Sequence, residues 1–306
     1  MKIFTKETNG LKALVLSDLH IFNDKEIKSV EDKLITLKNN QYDVIYLVGD
    51  ILDSTNILYS SEYITGRLIE LIAYLGHIAP TYIVYGSHDL AYYDFNQKDH
   101  WSPDEEKFKN SFLNLIVRYH NIHVLENETV FLDKEKNYTL SGFNPSLAYA
   151  LKTPDGNLRE LMEEKEEYAF LKRLDPNKTN TLLCHYPNVI MSLEETGVLT
   201  SIDLSIAGHN HNGVTQIKFF PLEKILNALG ETNRGIITPG KSLNFKETEK
   251  LRGVLSLSER NTLVINPAFK TFAASSGILE KIDGLFYRGY TEIEYVPEAK
   301  KLTRTK

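Results

Sequence analysis

The chain has 306 residues, of which 42% are hydrophobic and 25% charged, and its formal net charge is −6. That length builds one large α/β domain or two ordinary ones, and the composition excludes a disordered or collagen-like chain. The acidic balance weighs against a non-specific nucleic-acid binder. Cys184 is the only cysteine, so no intramolecular disulfide forms and a cytoplasmic setting suits the chain. The first ten residues hold no apolar segment of signal-peptide length, and no apolar run approaches the ~20 residues of a membrane span. The expectation is a soluble, cytoplasmic protein with no membrane contact.

Leu11–Leu16 is an apolar run that stops at Ser17-Asp18. Ile27, Val30, Leu34 and Leu37 then recur at helical spacing. Val44–Val48 is a second run, ending at Gly49-Asp50, and Ile64, Leu68, Leu71, Ile72 and Leu75 mark a second helix. After Pro80, residues 81–85 form a third run that stops at Gly86. This β-α-β-α-β order predicts parallel strands joined by helical crossovers, and unbroken apolar strands predict that both sheet faces are covered. Past a tyrosine-rich loop and a helix carrying Phe108, Phe112, Leu115 and Ile116, the pattern changes. Residues 122–125, 130–132 and Tyr138–Gly142 lie close together and read as antiparallel strands. A charged helix is expected over residues 158–174. Residues 181–184 and Leu204–Ala207 are strands that end at histidine-containing turns. Short strands follow at residues 214–220, 236–238, 253–257, Thr262–Ile265 and 290–296. With no linker or repeat, residues 1–296 read as one domain and residues 297–306 as a polar, disordered tail. A parallel half followed by a mixed half predicts two sheets packed face to face with helices outside.

Five strand ends carry side chains able to bind metal: Asp18-Leu19-His20, Gly49-Asp50, Gly86-Ser87-His88-Asp89, His185, and Gly208-His209-Asn210-His211. The carboxyl ends of strands in an open α/β sheet form its binding crevice, so residues from Asp18 to His211 converge there. Carboxylates mixed with imidazoles suit Mn, Fe or Zn better than Ca or Mg. A lone Asp-x-His or Gly-Asp carries little weight, because both are common turn chemistry. The five in order, all at strand ends, carry the reading. A metallo-β-lactamase motif is not formed, since Asn212-Gly213 follow His211, and an amidohydrolase barrel would place its His-x-His on the first strand. Cys184 ends an apolar strand and reads as buried and inert. His77, His100, His120 and His123 match no motif. The loop at residues 91–101, with Tyr92, Tyr93, Phe95 and Trp101, either walls a substrate pocket or packs on the sheet edge.

The order DxH, GD, GNHD, H, GHxH over residues 13–213 resembles that of the calcineurin-like metallophosphoesterases. The resemblance implies a four-layer α-β-β-α sandwich of two mixed β-sheets flanked by helices, with two divalent metal ions. By that resemblance Asp18, His20 and His211 hold the first metal, Asp50 bridges both, and His185 and His209 hold the second. His88 matches the family's catalytic histidine, and Asp89 the carboxylate that orients it. The implied reaction is hydrolysis of a phosphate mono- or diester by attack of a metal-bound hydroxide on phosphorus. The substrate expected is a small phosphate ester or nucleotide-type molecule.

The sequence leaves the family pattern at Ser87, where an asparagine would complete the second metal site. A serine hydroxyl is shorter than an amide carbonyl and a poorer neutral donor. Two alternatives therefore stay open at this point: a non-catalytic scaffold of the same fold, and a nuclease of the same fold. The intact remainder of the motif weighs against the first. The acidic balance, with no appended basic or coiled-coil region, weighs against the second.

Overall fold

A computed structural model describes residues 1–5, 10–37, 40–94, 100–145, 167–210, 253–269 and 289–297. Their strands form two six-stranded sheets and a hairpin. The first sheet runs in the order β1 (Lys2–Thr5), β14 (Thr291–Pro297), β2 (Leu11–Leu16), β3 (Val44–Val48), β4 (Thr81–Val84) and β7 (Ile122–Val124). The second runs β12 (Gly253–Ser256), β13 (Thr262–Ile265), β11 (Leu204–Ala207), β10 (Thr179–Leu183), β9 (Tyr138–Gly142) and β8 (Glu128–Phe131). The hairpin joins β5 (Ala91–Asp94) to β6 (His100–Pro103).

Both sheets are mixed. In the first, β2, β3, β4 and β7 are parallel, while β14 lies antiparallel to β2 and parallel to β1. In the second, β9, β10, β11 and β13 are parallel, with β8 and β12 antiparallel at the two edges.

The layering follows from the period-2 alternation of strand side chains. Leu14, Leu16, Ile45 and Leu47 face outward from the first sheet, onto helices α1 (Asp24–Leu37) and α3 (Glu62–Ile78). The short helix α2 (Ile57–Ser60) and the segment of α4 (Glu105–Phe108), a π turn (Lys109–Leu113) and α5 (Asn114–Ile116) join that core. Ala13, Val15, Val44, Tyr46 and Val48 face the other way and meet Leu140, Leu183, Leu204, Ile206 and Val264 of the second sheet. Leu182, Leu263 and Ile265 point outward from the second sheet against α6 (Pro187–Glu195), through Val189, Ile190 and Leu193. Three apolar seams therefore separate four layers, as expected. A polar tie crosses the middle seam: the Tyr295 hydroxyl is 2.9 Å from Thr181 Oγ1 and 3.4 Å from the Tyr46 hydroxyl.

Helix starts are built locally. Asn23 Oδ1 accepts the amides of Lys25 and Glu26, and Glu26 returns a carboxylate to the Asn23 amide, a capping box. Ser61 Oγ accepts the Ile64 amide at the start of α3.

Four expectations need correction or fall elsewhere. Residues 122–124 are not part of an antiparallel group with β8 and β9; they pair parallel to β4 at the edge of the first sheet. The chain changes sheets between β7 and β8, which proximity in sequence conceals. Of the charged helix expected at 158–174, residues 158–166 lie outside the described residues, and the rest is turns and one 3₁₀ turn, Leu171–Arg173. The strands expected at 214–220 and 236–238 lie outside the described residues, as does the tail beyond Pro297, itself the last residue of β14. Among the described residues, no helix is long and apolar enough to cross a membrane.

Candidate metal centre

The described motif residues sit just past the carboxyl ends of β2, β3, β4, β10 and β11, three from the first sheet and two from the second. The ladder between β2 and β3 continues beyond the strands. The amides of Asp18, His20 and Ile21 donate to the carbonyls of Gly49, Asp50 and Ile51 at 2.9, 3.1 and 3.0 Å. This zips the Asp-x-His turn onto the Gly-Asp turn. It also twists the backbone: Asp18, His20 and Asp50 have φ of 53°, 43° and 51°, and His209 has 66°. Left-handed non-glycine residues cost roughly 1 kcal/mol or more each and gather at functional sites. Glycine is needed at two adjoining turns. Gly49 has φ 74°, and a Cβ there would overlap the His185 ring; a Cβ at Gly86 would overlap the Asp50 carboxylate.

Among the described residues, three trios have ligand atoms within 4.8 Å of one another: Asp18, His20 and Asp50; Asp50, His185 and His209; and His20, Asp53 and His88. Asp50 belongs to the first two. Its Oδ2 is 3.0 Å from His185 Nε2 and 3.9 Å from His20 Nε2, and its Oδ1 accepts the His88 amide at 2.9 Å. Asp18 Oδ1 accepts the His209 amide at 2.9 Å, which ties the first sheet's turn to the second's.

The donor set fits cations. His185 Nδ1 lies 2.8 Å from the Val48 carbonyl, so that nitrogen carries the proton and the Nε2 lone pair faces Asp50. The two atoms are 3.0 Å apart, and a lone pair against a buried carboxylate calls for a positive charge between them. Without metal, a proton serves. Burial lowers the affinity of His185 for a proton, but the Asp50 carboxylate outweighs burial and pushes its pKa up to about 9. Burial likewise pushes the Asp50 carboxyl up, and the imidazoles of His185, His88 and His20 together hold it well below the usual range.

The resemblance makes Asp89 the group that orients His88, and the structure divides that work differently. Asp89 is fully buried and accepts the amides of Leu52 and Gly86, both at 2.9 Å, bracing the turns after β3 and β4. Burial and the Asp50 carboxylate push its pKa up to about 7. The His88 ring is held instead by the Asp53 carbonyl, 2.6 Å from its Nδ1. Ser87 lies half-buried between Gly86 and His88, and His211 lies outside the described residues. Cys184 is buried, which pushes its thiol up to about 12, in keeping with the inert reading.

Sequence reading missed two residues here. Asp53 Oδ1 is 4.0 Å from His20 Nδ1, and Asp53 completes the trio with His20 and His88. Its signal was the Asp50-x-x-Asp53 spacing. Asn266, at the end of β13, donates to Ser17 Oγ at 2.9 Å and buttresses the turn that carries Asp18. The residues at 91–94 and 100–103 of the tyrosine-rich loop form the β5–β6 hairpin beside this site, with the Ala91 carbonyl accepting the Thr55 amide.

Carboxylates and imidazoles gathered at the strand ends of two stacked mixed sheets are the arrangement of the metallo-dependent phosphatase fold. The calcineurin-like phosphoesterase family matches residues 11–213, well over half of the chain, and the chain belongs to that family. Membership implies two divalent metal ions, and the trios around Asp50 are where this chain could hold them. Similar solved structures include a dimetal phosphatase from Danio rerio, at 9% identity over 94% of this chain and 93% of that one, with a TM-score of 0.46. A phosphopantetheinyl hydrolase from Mycobacterium tuberculosis is 15% identical over 67% of this chain and 84% of that one, with a TM-score of 0.39. The protein TT1561 of Thermus thermophilus is 14% identical over 68% of this chain and 84% of that one, with a TM-score of 0.42. No curated protein matches the chain.

Proposed function

We propose that this chain is a dinuclear metal-dependent hydrolase of a small phosphate mono- or diester, such as a nucleotide-type molecule, in the cytoplasm. The observation that carries the reading is Asp50, whose carboxylate belongs to one trio of ligand atoms on each side. Asp18, His20 and Asp50 would hold one cation and Asp50, His185 and His209 the other, with His211 completing the first by the family pattern. Mn, Fe and Zn suit this mixture of carboxylate and imidazole. When bound, such a pair supplies Lewis acidity and an acidified water for in-line displacement at phosphorus.

The chain's own groups do the rest. The Asp53 carbonyl fixes the His88 ring by Nδ1, which leaves Nε2 to meet the substrate. As imidazolium, His88 donates a proton from Nε2 to the departing oxygen or stabilises charge on the phosphoryl group, work typically worth ~10²–10⁴ in rate. Asp89 keeps the turns that carry Leu52 and Gly86 at fixed separation, and so keeps His88 in place relative to Asp50.

Metal analysis combined with a panel of phosphate mono- and diesters, each assayed with Mn, Fe, Zn and Mg, tests the proposal. The expected result is about two metals per chain and turnover of at least one ester class. Two bound metals with no hydrolysis under any condition would sink it and leave the scaffold reading.

A further inference from the structure

The turn that carries Ser87 and His88 hangs from side chains. The His88 amide donates to Asp50 and the Gly86 amide to Asp89, each at 2.9 Å, and the Tyr85 amide just before them donates to Asn144 Oδ1 at 3.1 Å. Asp50 and Asp89 belong to the first sheet's own turns. Asn144 comes from the second sheet, two residues past the end of β9.

Its side chain occupies a rung of the first sheet's ladder. β4 and β7 run parallel with Ile83 opposite Val124, and the Leu125 amide donates to the Ile83 carbonyl at 2.9 Å. The next rung of such a ladder would join the Tyr85 amide to the Leu125 carbonyl. Asn144 stands between them instead: its Oδ1 takes the Tyr85 amide and its Nδ2 donates to the Leu125 carbonyl. The local backbone delivers it there. Gly142 lets the end of β9 come close, since a Cβ would overlap Leu125 Cβ, and the Asn144 amide is held by Asn127 Oδ1 at 2.8 Å. Asn144 is buried, so water does not compete for these bonds. A rung closed by backbone alone would set the end of β4 by β7. Filled from the facing sheet, it sets that end also by β9, which pairs with β10, the strand that leads to His185.

We propose that Asn144 is a positioning residue for His88. Through the Tyr85 amide it fixes the turn that presents His88 relative to the ligands of the second sheet. The inference rests on the reading above, in which His88 meets the substrate through Nε2. A misplacement of about 1 Å at a reacting centre can cost ~10²-fold in rate. The bond to Tyr85 does the positioning, and the bond to Leu125 anchors the amide.

Kinetics of the Mn²⁺-loaded natural chain, Asn144→Leu, Asn144→Asp, His88→Ala and the double variant Asn144→Leu with His88→Ala test it. Asn144→Leu should lower kcat by ~10–100-fold on an ester with a poor leaving group, and much less on an activated aryl ester, with KM unchanged. Added to His88→Ala, it should cost nothing further. Asn144→Asp keeps an acceptor for the Tyr85 amide and should restore most of the rate. Equal losses on both esters overturn the proposal, as does Asn144→Asp as slow as Asn144→Leu. A variant less stable but kinetically normal also overturns it. Calorimetric binding of orthophosphate to the same Mn²⁺-loaded chains runs the same cycle without turnover, and coupling between Asn144 and His88 is expected there too. That coupling without hydrolysis of any ester would defeat the functional reading and leave this one standing. Hydrolysis slowed selectively by His88→Ala but indifferent to Asn144→Leu would do the reverse.

Discussion

Within the site, Asp50 holds the two ligand sets together through a carboxylate that is almost wholly buried and shared by imidazoles from both sheets. Asp50→Asn keeps the shape and removes the charge. It should lower metal affinity by at least the ~100-fold that loss of even a supporting contact can bring, remove most hydrolysis, and leave circular dichroism unchanged. Near-normal turnover with two metals per chain would show that Asp50 does not bridge. His88 makes a different prediction, because the role proposed for it is to meet the leaving group. His88→Ala should slow an ester with a poor leaving group by ~10²–10⁴ and an activated aryl ester much less. Equal losses on both, with metal lost as well, would make it a ligand. Gly86 shows how tightly these groups are set. A methyl there overlaps Asp50 Oδ1 and meets the Asp50 amide behind it. Gly86→Ala should cost about 1–3 kcal/mol, the scale of overpacking, in urea unfolding and should weaken metal binding in parallel. A silent substitution would mean the turn can open.

Among the elements, the sequence displayed best what is covered on both faces. β2, β3, β4, β10 and β11 are almost wholly buried and their apolar stretches stop at turns, so their ends, and with them Asp18, Asp50, His88, His185 and His209, could be read directly. Elements defined by distant partners could not. β1 is four residues long and, among the described residues, pairs with β14 alone, near the far end of the chain. β7 is three residues long, and its burial alternates only weakly, so its place beside β4 is invisible locally. The helix α6 was missed although Pro187 and the spacing of Val189, Ile190 and Leu193 announce it. That Asp89 accepts the Leu52 and Gly86 amides was not legible, because a motif gives order along the chain, not which amides point at a carboxylate. β14 itself is pinned at Glu292, whose Oε1 accepts from the Tyr42 hydroxyl at 2.6 Å and Asn40 Nδ2 at 3.1 Å and lies 3.3 Å from Lys12 Nζ. The Tyr42 bond, followed by those of Lys12 and Asn40, holds the Glu292 carboxyl below its usual range against partial burial. A carboxyl depressed on folding adds stability above its unfolded pKa, about 4.3, and loses it as pH falls through the folded value. Glu292→Gln should therefore cost about 1 kcal/mol at pH 7, after discounting for its exposure to solvent. The difference should vanish in acid below the folded pKa. Urea midpoints at the two pH values decide it; a gap that persists in acid would mean the charge is not what matters.

At the scale of the whole molecule, the candidate centre sits where the two sheets meet, since Asp18, His20 and Asp50 come from one and His185 and His209 from the other. Four carboxylates, Asp18, Asp50, Asp53 and Asp89, crowd into this seam with little water to separate them. The folded chain without metal must offset that charge with protons, whereas the unfolded chain has no such crowding. Cations that bind only the folded arrangement stabilise it by mass action, about 2.7 kcal/mol at a hundred times the dissociation constant. Removing metal with a chelator should lower the melting temperature by several degrees, and Mn²⁺ should restore it. Because bound metal displaces protons from its ligands, the gain should be larger at pH 8 than at pH 6. Asp50→Asn should remove most of the gain at both. Scanning calorimetry of the natural chain and this variant, with chelator and with Mn²⁺ at each pH, is the measurement. A melting temperature indifferent to metal at pH 8 would mean that the acidic seam is already balanced by the protein itself, and that the two sheets are held together without help from the site.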